Sequence, residues 1–504
     1  MVLEERYDFT STAKKRLITL FIVGIILTVI GFFTIGSGDG ESHSEVGHDT
    51  HSATPYGESD QIDAGVSNEL ASHNNDNVSQ ESKDHHDEEP YGDENAKEPS
   101  HDENHEKSYE HGHGEVKHSQ NSEGHHGDGG HHGASPNKKR FLSNLWINSI
   151  FFGGLSIIGV FFFSIQYAAQ AGWSAGLKRI PFAFGAWLPI AFLTLLGVFL
   201  YGGHDLFHWT HADLYTGPEP DKIMQGKASY FFFPLEAGSF PLFWVARLII
   251  FFLVWYLFFR KLRALAFSED LEGGTRKWYR LRSISAIFLV FFAVSSSIAA
   301  WDWVMSVDPH WFSTMFGWYV FASWWVSGLA LSLFLVLFLK DKGLLSVVNE
   351  NHIHDMSKFV FAFSIFWTYV WFSQFLLIYY AHIPEETIYF VERWKNDHYA
   401  PVFFINLILN FFLPFLLLMT RDSKRHSRIL KVVAAIVVFG HWIDFYLMIS
   451  PGTVGENGGF GFMELGIILV YLSAFLFVVF NALAKASLFA RNHPMLQESL
   501  QHHI

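Results

Sequence analysis

The chain has 504 residues, 50% of them hydrophobic, with 53 Phe and 17 Trp. That is more apolar aromatic surface than one water-soluble core of ordinary composition contains. It has no cysteine, which excludes disulfides, cysteine-ligated iron–sulfur clusters and the C-x-x-C-H attachment of c-type haem.

The net charge of −14 is local, because residues 37–140 hold 24 Asp+Glu against 7 Lys+Arg and the rest of the chain is slightly basic. Residues 1–16 form a polar tail ending in Lys14-Lys15-Arg16. The apolar run 17–36 that follows is long enough to cross a ~30 Å hydrocarbon core. It reads as an uncleaved anchor, being longer than a usual signal h-region and followed by no A-x-A-like site.

Residues 37–140 are Gly, Ser, Asn, acidic residues and 15 of the 28 histidines. They bury too little to offset their ordering entropy and read as a disordered acidic loop. Within it His111, His113, His125, His126, His131 and His132 are weak metal-ligand candidates, since neutral imidazole suits Zn²⁺, Ni²⁺ or Cu²⁺. The plainer reading is a solvated acidic spacer; a third is electrostatic attraction of a basic electron carrier.

Nine further apolar runs follow, at 142–171, 182–201, 240–259, 283–307, 313–339, 358–381, 400–419, 429–450 and 462–489. With the first they predict an all-α polytopic membrane protein of ten transmembrane helices. Pro189 and Pro414 inside these runs are tolerable in a membrane, where neighbours satisfy the freed backbone groups. With the amino terminus inside, 23 Lys+Arg fall on inner segments and 7 on outer ones. Both termini are therefore expected in the cytoplasm and the His-rich loop outside.

In that orientation the third, fifth, seventh and ninth runs end outward, and each ends in ionisable residues. The third closes in YGGHDLFHWTHAD, residues 201–213. His204, His208 and His211 line one face if the helix continues, beside Asp205, a spacing that suits a metal. The alternative is an interfacial belt with Trp209 and Tyr215. The fifth closes in WDWVMSVDPH, where Asp302, flanked by Trp301 and Trp303, must be paired, protonated or wet. A structural pair with Arg247, about two turns inside the outer end of the fourth run, competes with a catalytic role. The seventh ends with His382 and Glu385, and the ninth in HWIDFYLMISP, whose His441 and Asp444 share a face at i and i+3.

Tyr201-x-x-His204 matches Tyr379-x-x-His382, and aligning Pro309 with Pro451 sets Asp302 opposite Asp444. The expected organisation is two parallel four-helix units, 141–310 and 311–451, with the tenth helix and a cytoplasmic tail in 452–504. Histidine and aspartate near the outer surface within aromatic walls suit a membrane quinol. A histidine can take a hydroxyl proton and an aspartate relay it outward. The candidate catalytic residues are Asp302, His204 and Asp205, with His208, Arg247, Trp301, His382, Glu385, His441 and Asp444 in quinol binding or proton transfer.

The ten runs, the paired units, the YGGHDLFHW and WDWVMSVDPHW ends and the His-rich first outer loop resemble the NrfD-like, polysulfide-reductase-type membrane subunits. Within them the pattern is most similar to the F-subunit class of bacterial alternative complex III, a quinol:cytochrome c or electron-acceptor oxidoreductase. The resemblance covers about 400 residues and leaves the His-rich loop unmatched. It implies a haem-free subunit of the bacterial cytoplasmic membrane, with menaquinol as substrate and iron–sulfur and c-type cytochrome subunits as partners. It also implies a second NrfD-like subunit, the better candidate for the quinol pocket, and a terminal oxidase as a further partner; no nucleic acid is involved. Three rivals stand beside it: a divalent metal-ion transporter, a haem b cytochrome ligated by His204 and His441, and a purely structural or proton-conducting subunit without its own quinol site.

Overall fold

The computed structural model describes residues 5–35 and 135–503, and everything described there is helix, turn or loop apart from one isolated backbone bridge, Arg6 with Ser487. The predicted acidic loop and its six histidine candidates lie outside the described residues, apart from its last few positions. Among the described residues ten helices are long and apolar enough to cross a membrane, so this is a multi-pass membrane protein. In chain order the elements are α1 (Ser11–Ile35), α2 (Pro136–Ala168), α3 (Arg179–Leu206), the short α4 (Lys222–Phe232), α5 (Leu242–Glu272) and α6 (Arg276–Trp303). They continue with α7 (Phe316–Asp341), α8 (Glu350–Ala381), the short α9 (Pro384–Lys395), α10 (Ala400–Leu417), α11 (Ser427–Val454) and α12 (Phe462–Leu483).

α2, α3, α5 and α6 pack as one four-helix unit and α7, α8, α10 and α11 as another. The first helix of each unit is central: 89% of the apolar window of α2 and of α7 is buried, against 11% for α1. They meet where Gly154 faces Trp324, and a Cβ on Gly154 would lie 1.9 Å from the indole nitrogen. Small residues permit such close approach, which drives association where lipid supplies no hydrophobic force. α12 bridges α1 to α2, and a buried carboxylate fastens it, since Arg140 donates to both oxygens of Glu464 at 2.7 and 2.9 Å.

α2 starts at Pro136, earlier than the loop end read at Arg140. Ser135 accepts from the backbone of Lys138 and Pro136 sits in the first turn, an ordinary helix start. Lys138 and Arg140 are consequently helical residues with partners. Two surface helices were not foreseen, α4 between α3 and α5 and α9 between α8 and α10. They occupy the same place in the order of the two units. α8 stops at His382 in the left-handed conformation (φ 50°), and Pro384 opens α9. Glu385 thus belongs to a separate helix and not to the end of the seventh span.

Both described chain ends lie at one face of the bundle, called here the terminal face. There the Leu488 amide donates to the Glu5 carbonyl, and Ser499 bonds to Gly176 and His352. The Asp302 and Asp444 ends of α6 and α11 point to the opposite, far face.

Candidate functional site

Two buried aspartates face the interiors of their own units, and their surroundings differ. In the first unit, Asp302 on α6 is fully buried and accepts both Nε and Nη2 of Arg247 on α5, at 2.7 and 2.8 Å. The third guanidinium direction goes to the Tyr230 carbonyl at 2.8 Å, and the cation lies over the Tyr230 and Phe243 rings. Trp244 and Ser306 donate to the Asp302 carbonyl. The Arg247 pairing weighed against catalysis is therefore present, bidentate and neutral overall.

In the second unit, Asp444 on α11 is equally buried but has only neutral donors. Tyr319 on α7 donates its hydroxyl to Oδ1, Asn406 on α10 donates to the same oxygen at 3.0 Å, and Trp367 on α8 donates to Oδ2 at 2.9 Å. Among the described residues no Lys or Arg lies within ion-pairing distance of it. His441 shares its face, with Nδ1 3.9 Å from Oδ2, too far for a direct hydrogen bond; that nitrogen stands 3.1 Å from the Ser323 hydroxyl. His441 Nε2 has no hydrogen-bond partner among the described residues.

Asn410 extends the network by donating to Asn406 at 2.6 Å. It sits in a π-helical turn, Ile408–Phe412, just before Pro414. Proline has no N–H for the carbonyl four residues back, so the helix widens there and turns Asn410 inward. Asn410 Oδ1 rests against Gly440, where a Cβ would meet it at 2.3 Å.

Toward the far face, a cavity of about 20 Å³ touches Tyr319, Asn406, Gln374, Tyr389 and Arg393, enough for one water with polar partners. Arg393 closes its outer side. Pro451 cannot donate to the Leu447 carbonyl, and Arg393 Nε supplies that bond at 2.8 Å, with Met448 O taken by Nη2 at 3.2 Å. The guanidinium stacks 3.4 Å over Tyr389 and donates to Asp308 at 3.0 Å.

Beyond it opens a rim cavity of about 280 Å³ lined by His208, Asp308, His310, Glu385 and Glu392. Burial, then the neighbouring Asp308, raises the Glu392 carboxyl above its usual value. Partial burial and the charges of His211 and His310 push His208 down. His310 Nε2 lies 2.5 Å from Asp221, and that contact holds the Asp221 carboxyl below its usual value.

The remaining sequence candidates are at the rim. α3 ends at Leu206, so the face expected of His204, His208 and His211 is not continued. His204 instead stacks on His211 with ring centroids 4.0 Å apart, and Lys138 pairs with Asp205 at 2.8 Å. Among the described residues no three His, Cys, Asp or Glu are grouped so as to hold a metal. The haem reading needs His204 and His441 at matched depth. His204 is exposed at the end of α3, whereas His441 is buried roughly 20 Å along α11 from Val454 at 1.5 Å per residue. Trp301 is half-buried with its indole N–H unpaired among the described residues, and His382 is exposed as the cap of α8.

Sequence reading missed a second buried titratable group at the terminal face. Met495 N–H donates to His493 Nδ1, and His493 Nε2 lies 2.7 Å from Lys178 Nζ. Burial pushes the Lys178 amine down to about 7. It packs on Tyr167, whose hydroxyl donates to Glu269 at 2.7 Å. These groups are more than 300 residues apart at the extreme, and no local spacing reveals them. No protein-family model and no curated protein matches the chain, so the site stands on its geometry.

Proposed function

We propose that this chain is a haem-free, proton-handling membrane subunit of a bacterial quinol:electron-acceptor oxidoreductase, of the NrfD-like class and nearest the F subunit of alternative complex III. Asp444 carries the reading. A buried carboxyl held by three neutral donors can gain and lose a proton without stranding an opposite charge, which Asp302, locked to Arg247, cannot do. Its surroundings supply a short way out: the Tyr319 hydroxyl, the water-sized cavity, Arg393 with Asp308, and the acidic rim cavity.

Under the positive-inside reading that rim faces the periplasm, where quinol oxidation releases its protons. Menaquinol is then the substrate of the assembly, bound chiefly in the paired NrfD-like subunit. The electrons go to iron–sulfur and c-type cytochrome partners, since this chain has no cysteine to hold such groups. Asp302 and Arg247 serve as a structural pair in this scheme.

The test is Asp444→Asn in the purified assembled complex, with quinol turnover, proton release, bound quinone and subunit content measured in one sample. Turnover-linked proton release is expected to fall by about 10²-fold, the lower range for losing a positioned acid–base group, with subunits and quinone retained. Unchanged turnover and proton release would sink the proposal and leave the chain as scaffold.

A further inference from the structure

A roomy cavity elsewhere in the bundle belongs to none of this machinery. It occupies about 900 Å³ at the terminal face, between α1 and the inner halves of α7, α11 and α12. Its walls are apolar and come from Phe152, Leu335, Ala435 and Leu476 among others. Its charged groups gather at one end only: Arg6, Arg16 and Lys342, with Asp8 as the single acid.

Packing explains why the space exists. α1 seats tightly on α12 farther along, where a Cβ on Gly31 would lie 2.2 Å from the Met463 nitrogen and one on Gly466 would lie 2.4 Å from the Thr28 nitrogen. Toward the terminal face the helices are lined instead by Ala13, Leu17, Leu472 and Phe480, and they leave a slot. The segment before α1 straps its mouth. Leu488 N–H donates to the Glu5 carbonyl, and the Glu5 carboxylate accepts from the backbone of Leu345 and Ser346.

Along α12 the lining runs from Ile468 to Phe480, roughly 18 Å of helix at 1.5 Å per residue. One leaflet is about half of a ~30 Å hydrocarbon core. A leaflet-deep apolar slot with cations at its membrane-surface end has the polarity of a lipid. We infer that it is a binding site for one anionic phospholipid, its acyl chains against α7, α11 and α12 and its phosphate at Arg16 and Lys342. A quinone fits less well, because its ring needs hydrogen-bond partners at both oxygens and the deep walls offer none.

The test uses native mass spectrometry of the full complex released from vesicles of equal phosphatidylglycerol and phosphatidylcholine. Retained phosphatidylglycerol is expected in the unmodified complex. Combined Arg16→Gln and Lys342→Gln should cut the preference over phosphatidylcholine about tenfold, each basic group being a modest electrostatic contribution. Ala435→Phe, which fills the slot, should lower retention of both lipids while subunit content holds. Equal retention of the two lipids by the unmodified complex, or a quinone recovered from the slot in place of phospholipid, would overturn the assignment. Quinol turnover is not read here, so the outcome is independent of the role given to Asp444.

Discussion

Asp302 and Asp444 are both fully buried, yet one is held by a guanidinium and the other by hydroxyl, indole and amide donors. That difference predicts opposite consequences for the same substitution. Asp302→Asn strands the buried Arg247 charge and should destabilise the protein by about 3–5 kcal/mol, seen as a lower melting temperature of the assembled complex. Pairing Asp302→Leu with Arg247→Met should recover most of that loss, and a double-mutant cycle showing simple additivity would contradict the pairing. Lys178 gives a pH prediction. Its folded value is depressed to about 7 from an ordinary 10.5, so the folded state binds fewer protons than the unfolded one. Its contribution to stability is complete above about 10.5, declines as pH falls, and is lost below about 7. Melting temperatures across that window should rise with pH in the unmodified chain, and Lys178→Met should flatten the slope.

α9 illustrates how one side chain can hold a whole element. Its buried residues Tyr389, Phe390 and Arg393 face the second unit, and Arg393 ties it to the carbonyls of Leu447 and Met448 on α11. Arg393→Ala leaves the Leu447 carbonyl without a donor, at a cost of about 1–3 kcal/mol for an unsatisfied buried group. Hydrogen exchange should quicken across α9 and the outer turns of α11, with α4 in the other unit unchanged. The π-turn of α10 makes a second case. Pro414→Ala restores the missing N–H, and the turn should tighten and carry Asn410 away from Asn406. If the network matters as proposed, proton release should fall while subunit content stays intact.

At the scale of the whole molecule, the ten spans and their basic-residue asymmetry set the orientation expectation. A chain without cysteine allows a clean check with single introduced thiols. Thr216→Cys at the far face should react with a membrane-impermeant maleimide added outside intact cells. Ser346→Cys at the terminal face should react only after the cells are opened. The reverse pattern would move the rim cavity to the cytoplasm and remove the route proposed for proton release.

The existence of ten helices, their order and the positions of Asp302, Arg247, His441 and Asp444 on them followed from the sequence, because apolar length and the cost of buried charge are local properties of a segment. Which carboxylate has a cation and which has none was not legible. It depends on whether Arg247 of α5 or Asn406 of α10 comes alongside, a matter of packing between segments tens of residues apart. α4 and α9 escaped because they are short and amphipathic, so that only the bundle beneath them makes their apolar faces worth burying. The end of α3 at Leu206, which breaks the helical face expected of the three rim histidines and lets His204 stack on His211, and the slot beside α1 were likewise decided by tertiary contact.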